Sequence, residues 1–174
     1  EGLESIGSGF LSKTTVKEII IPKTVTGMSS ALSGAESLTK VTFESGMERI
    51  PGSALSDTGS TVKEVSIPET VVAIGSFAFY GCTGLTEIKL PGKLKEIEGI
   101  AFKGCKGISE IELPGSLEKI GNEAFSGCTA ITEIILPIKV KEVGDRAFEN
   151  CEELGKITLN EGLESIGSGF LSKT

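Results

Sequence analysis

Apolar side chains return along this chain in a fixed order. Ile88 and Leu90 alternate with Glu87 and Lys89, Pro91 follows, and Leu94 and Ile97 come next. Then come Ala101-Phe102 and Ile108, and the series restarts at Ile111-x-Leu113-Pro114. Alternation at period two predicts a short strand with one buried face. The proline lacks the N–H that a ladder needs, so it ends the strand. Leu94 and Ile97 bring the chain back to the interior. Gly121, Gly144 and Gly167, just after that second apolar position, suit a tight turn. The pairs Ala101-Phe102, Ala124-Phe125 and Ala147-Phe148 fit a short helical turn, with alanine where backbones approach and phenylalanine filling the core.

Cut at Ile-x-Leu-Pro, residues 65–87, 88–110, 111–133 and 134–156 are four ungapped units of 23 residues. Units 19–40 and 41–64 are degenerate, with 22 and 24 residues. In our alignment Leu32 and Ala54 take the alanine place there, and Ser33 and Leu55 the phenylalanine place. Residues 1–18 are the trailing part of a unit, and 157–174 a partial unit. One unit cannot bury its apolar face alone, but stacked units can. The expectation is a single α/β repeat solenoid over residues 1–174. Its one parallel sheet has strands starting at Ile19, Val41, Val65, Ile88, Ile111, Ile134 and Ile157, with short helical turns on the opposite face.

Residues 161–174 repeat residues 1–14 without a change, at an offset of 160. The chain reads as one superunit of seven repeats plus an overlap, a fragment of a longer array or a chain whose ends were engineered to match. One molecule's C-terminal unit can then replace the N-terminal segment of the next. That contact is heterologous and predicts head-to-tail self-association.

Composition narrows the chemistry. The formal net charge of −7 repels phosphate, so no nucleic-acid partner is expected. No apolar run reaches the length of a membrane span, and no signal peptide is visible. There is no histidine, so no triad can activate a serine or cysteine. No phosphate-binding glycine loop occurs. No catalytic residue, cofactor or metal is expected. Cys82, Cys105, Cys128 and Cys151 stand 23 residues apart in one column of the stack. A linear ladder does not converge as zinc ligands must. Neighbours about 5 Å apart would just permit a disulfide. The better reading is buried reduced thiols acting as small hydrophobes.

The outward strand positions carry the candidate binding residues. Glu64, Glu87, Glu110 and Glu133 share one column, flanked by Lys40 and Lys156, and Lys89 and Glu112 stand two places on in their units. Stacked like charges cost stability. The column is therefore either a docking site for a basic partner or a solvated face spread by duplication. Calcium is disfavoured, since the Asp-rich loops it prefers are absent. A second set alternates in sign: Lys95, Glu118, Lys141 and Glu164, beside Glu96, Lys119 and Glu142. Such pairs add little energy but favour one register.

The spacing Leu85-x-x-Ile88-x-Leu90-x-x-x-Leu94-x-x-Ile97 resembles the leucine-rich repeat signature. The trailing Gly-x-x-Ala-Phe-x-Gly-Cys portion resembles the bacterial BspA-like (Treponema-type) leucine-rich repeat family. Lys93, Ser116 and Lys139 replace the asparagine usual in leucine-rich repeats. The resemblance implies a right-handed stack and an extracellular or cell-surface, adhesin-like protein that binds host or bacterial surface proteins. The alternative is an architectural spacer in a tandem surface array or an engineered repeat scaffold.

Overall fold

The computed structural model describes residues 2–174. Two columns of parallel strands and one column of turns build the stack. In the leading column Glu18–Ile21, Lys40–Phe43 and Glu64–Ser66 form one three-stranded sheet, and Glu133–Ile135 pairs with Lys156–Thr158. The following column is the more continuous. Arg49–Ile50, Ala73–Ile74, Glu96–Ile97, Lys119–Ile120, Glu142–Val143 and Ser165–Ile166 lie side by side in one six-stranded sheet. Its register sets Ile74 against Ile97 and Ile97 against Ile120, so each unit presents the same buried side chain to the next.

The expected α/β solenoid with helical turns and a single sheet is not what forms. Among the described residues there is no helix, and the molecule is a parallel β-solenoid. The backbone amides of the Ala-Phe segments show why. In an α-helix every amide turns back to the carbonyl four residues earlier. Here Ala101 and Lys103 close three-residue turns onto Glu98 and Ile100. The amides between them, on Ile100, Phe102 and Gly104, leave the unit and donate to Asn122, Ala124 and Ser126 of the next, each at 2.8 Å. Left-handed backbone at Ile100 (φ 63°) and Gly104 (φ 75°) aims those amides outward. The turn column is thus a third inter-unit ladder. In all of these turn bonds the earlier unit donates, whereas the strand columns also carry bonds of the opposite sense, as from the Gly121 amide to the Ile97 carbonyl at 2.8 Å.

The core is a run of like on like. Phe79, Phe102, Phe125 and Phe148 are fully buried and stack nearly face to face, with ring centroids 4.9–5.2 Å apart. Phe170 ends the run edge-on to Phe148. In unit 19–40 the buried pair is Ala31-Leu32, one place before our alignment, and Ser33 lies outside the core. In unit 41–64 it is Ala54-Leu55, as aligned.

Gly121, Gly144 and Gly167 serve close approach rather than a left-handed turn. A Cβ there would lie 2.5, 2.5 and 2.3 Å from the backbone nitrogens of Gly99, Asn122 and Asp145. All four cysteines are free and buried. Each thiol donates to a carbonyl of the preceding unit, as Cys105 does to Phe79 at 3.0 Å and Cys128 to Phe102 at 3.1 Å. Burial pushes the Cys128 thiol well above its ordinary range and that of Cys151 up to about 11.

Candidate functional site: the open strand column

The leading column does not run unbroken. Between Ser66 and Glu133 only an isolated parallel bridge, Glu87 to Glu110, joins neighbouring units. The following column and the turn column stay paired across the same units, so the stack opens on one side only. Two adjoining grooves occupy that side. One, of about 630 Å³, is walled by Val65, Ile88, Leu90 and Pro114. The other, of about 490 Å³, is walled by Ile111, Leu113, Ile135 and Pro137. Glu112 borders both.

Glu64, Glu87, Lys89, Glu110, Glu112 and Glu133 are all exposed and all line these two grooves. They are not electrostatically alike. Register puts Lys40 beside Glu64 and Lys156 beside Glu133, and both pairs are ion-paired, at 2.6 and 2.5 Å. The Glu64 carboxylate holds the Lys40 ammonium above its usual pKa. Lys89 reaches Glu69 at 4.0 Å. Among the described residues, Glu87, Glu110 and Glu112 have no cationic partner, although Lys63 also borders the larger groove. Three bare carboxylates therefore sit at the centre of the face, with neutralised ones at its two ends.

The alternating set behaves as its spacing requires. Lys95 pairs with Glu118, Lys141 with Glu164, and Lys119 with both Glu96 and Glu142, at 2.8–3.9 Å. These pairs follow the continuous ladder and reinforce its register.

Glu98, which the sequence reading passed over, stands where the neighbouring units have Gly75 and Gly121. It accepts hydrogen bonds from the Ser76 amide and hydroxyl, each at 3.0 Å, and is ion-paired with Arg49. Burial raises its pKa, but the bonds from Arg49 and Ser76 outweigh that and hold it below the usual carboxylate range. It ties three units together. Its signal was a charged residue in a column of glycines.

Among the described residues, no group of three or more Cys, Asp or Glu side chains is placed to hold a metal ion. Nor is any helix among them long and apolar enough to cross a membrane.

A parallel stack of leucine-rich units, hydrogen-bonded from unit to unit on three columns, defines the class: a leucine-rich repeat solenoid. More narrowly, the chain belongs to the BspA type leucine rich repeat region family. Six copies of that family's model match residues 1–62 and 50–174.

Solved structures of bacterial relatives share the fold. A leucine-rich repeat protein from Bacteroides ovatus is 28% identical, with a TM-score of 0.66 over 91% of this chain and 49% of its own. One from Eubacterium ventriosum (21% identical, TM-score 0.57) and the pneumococcal vaccine antigen PcpA (21% identical, TM-score 0.56) each align over 98% of this chain. The chain spans 49–62% of the length of these three proteins. No curated protein matched the chain.

Proposed function

We propose that the chain is a non-enzymatic protein-binding module of a bacterial cell-surface or secreted protein, adhesin-like, with the leading strand column as its contact surface. The observation that carries the reading is the central trio Glu87, Glu110 and Glu112, unpaired beside two grooves where the ladder opens. A face kept only for stability would be paired throughout, as the alternating lysine–glutamate columns are. The absence of histidine and the burial of every thiol leave no activated nucleophile. A similar protein, PcpA, is a pneumococcal vaccine antigen, which accords with display at the surface. The test is capture of purified secreted and matrix proteins on the immobilised chain. A specific ligand lost by E87Q/E110Q/E112Q supports the reading, and no capture from a broad panel refutes it.

Head-to-tail self-association is a second reading, in which the chain works as a spacer. Residues 1–14 and 161–174 share their sequence, and residues 2–14 and 162–174 also share backbone form. Ser5–Ile6 and Ser165–Ile166 are both strands, Gly9 and Gly169 have φ of 68° and 66°, and Lys13 and Lys173 have 58° and 59°. Light scattering across a concentration series tests it, and a strict monomer throughout refutes it.

A further inference from the structure

We infer that the open strand column takes an extended segment of a partner protein in which cationic side chains alternate with apolar ones. This rests on the proposed binding role and specifies its partner. Three independent features of the face converge on that chemistry.

The first is unpaired backbone. Among the described residues, no hydrogen bond meets the amides of Lys89, Leu90, Glu112 or Leu113, whereas in the next unit the Leu136 amide donates to Thr158 at 2.9 Å. These donors face the neighbouring unit along the stack, so they mark where the column is open and leave the docking to the side chains of its outer face.

The second is shape. The two grooves adjoin through Glu112, and both have apolar walls. Ile135, at the wall of the smaller groove, is 58% exposed, and nearby Ile138 is 64% exposed. These seats suit apolar side chains presented on one face of a strand.

The third is charge and spacing. Glu110 and Glu112 project two residues apart, about 7 Å in an extended backbone, which is also the same-face spacing of a partner strand. Glu87 lies beside Glu110 across the bridge. Cations at that spacing meet carboxylates that have no other partner, and such complementarity fixes register and speeds encounter.

The test uses three labelled peptides about nine residues long, alternating lysine with valine, lysine with serine, and glutamate with valine. Fluorescence anisotropy measures each against the whole chain at low salt. The lysine–valine peptide is expected to bind about tenfold more tightly than the lysine–serine peptide, and the glutamate–valine peptide not to bind. E87Q/E110Q/E112Q should weaken the lysine–valine peptide about tenfold. E152Q/E153Q/E161Q makes the same change in net charge away from the grooves and should leave binding unchanged. Amide shifts in NMR spectra should centre on residues 87–90 and 110–113, and matching thermal melts exclude unfolding.

Equal weakening by both triple variants, or equal binding of the two lysine peptides, would show attraction to net charge alone and overturn the inference. So would no binding of the lysine–valine peptide. The broader binding role fails separately, when the immobilised chain captures nothing.

Discussion

Replacing Phe125 with alanine removes the middle of the stacked aromatic run. The ring is fully buried, with Phe102 and Phe148 each 5.2 Å away and nearly parallel, so the truncation strips two aromatic contacts at once. Loss of a buried phenylalanine costs about 3–5 kcal/mol, including the cavity left behind. For a chain of 174 residues that is a fall of roughly 6–20 °C in Tm. A stack coupled only through nearest neighbours adds a signature of its own. Weakening a central interface uncouples the two halves, so the transition broadens as well as shifts. Urea and thermal unfolding followed by far-UV circular dichroism, with Tyr80 fluorescence as a second probe, read both effects. Phe77→Ala is the control, since that residue is 41% exposed and lies outside the stacked run, its ring meeting Tyr80 in an edge arrangement with centroids 6.0 Å apart. It should cost less than about 1 kcal/mol. A Phe125 cost below about 1 kcal/mol, or an equal cost at Phe77, would refute the assignment of the column to the core.

Four further outcomes are expected. In the native protein the thiols should resist labelling reagents, and denaturation without reductant should release all four. Unfolded thiols ionise near pH 8.5, whereas the folded Cys151 thiol stays protonated to about 11. Its contribution is therefore complete below about pH 8.5 and declines above it; a stability profile as flat as that of Cys151→Ala would contradict this. Ile100 is a β-branched residue at φ 63°, so Ile100→Asn should raise stability by about 0.5–1 kcal/mol in urea titrations, and a loss would show that the strain estimate is wrong. Gly144→Ala should cost about 1–3 kcal/mol through collision with Asn122, whereas Gly115→Ala, with open space around it, should melt like the parent. Equal melting of the two alanine variants would remove the close-approach argument.

The repeat and its core were legible because side chains announce them. Period-two alternation, the Ala-Phe pair and the cysteine spacing all report which way a side chain faces; the Ala-Phe and cysteine columns of residues 65–156 are fully buried, and the inward strand positions are buried or partly buried. The helical turn was misread because the evidence against it lies in the backbone. Ala-Phe segments have acceptable helix formers, and nothing in Ile100 or Glu123 announces a left-handed φ. The inter-unit amide bonds override propensity. The column of strands was misjudged for a related reason. Ile97 and Ile120 looked like a mere return to the core, yet they belong to the longest ladder. Ile88 and Ile111 have the stronger strand pattern but remain almost unpaired. The glutamates of the face were visible as a column. Lys40 and Lys156 were visible as flanking the column, but that they pair with Glu64 and Glu133 and leave Glu87, Glu110 and Glu112 without a cation required the register.

Every ladder in the molecule bonds along the direction in which the units stack, and this shapes its response to force. Tension applied along the stack does not shear a zipped sheet, in which many bonds would resist together. It loads only the bonds at one junction at a time, and the outermost unit peels before the next is disturbed. Successive pairings such as Glu96 with Lys119 lie 23 residues apart, so each peeled unit releases about 75 Å of slack chain. A string of such units behaves as an extensible tether, lengthening in steps under low load and rewinding as it slackens. A surface protein built from them would keep hold of its partner in moving fluid by paying out chain, where a rigid stalk would have to let go.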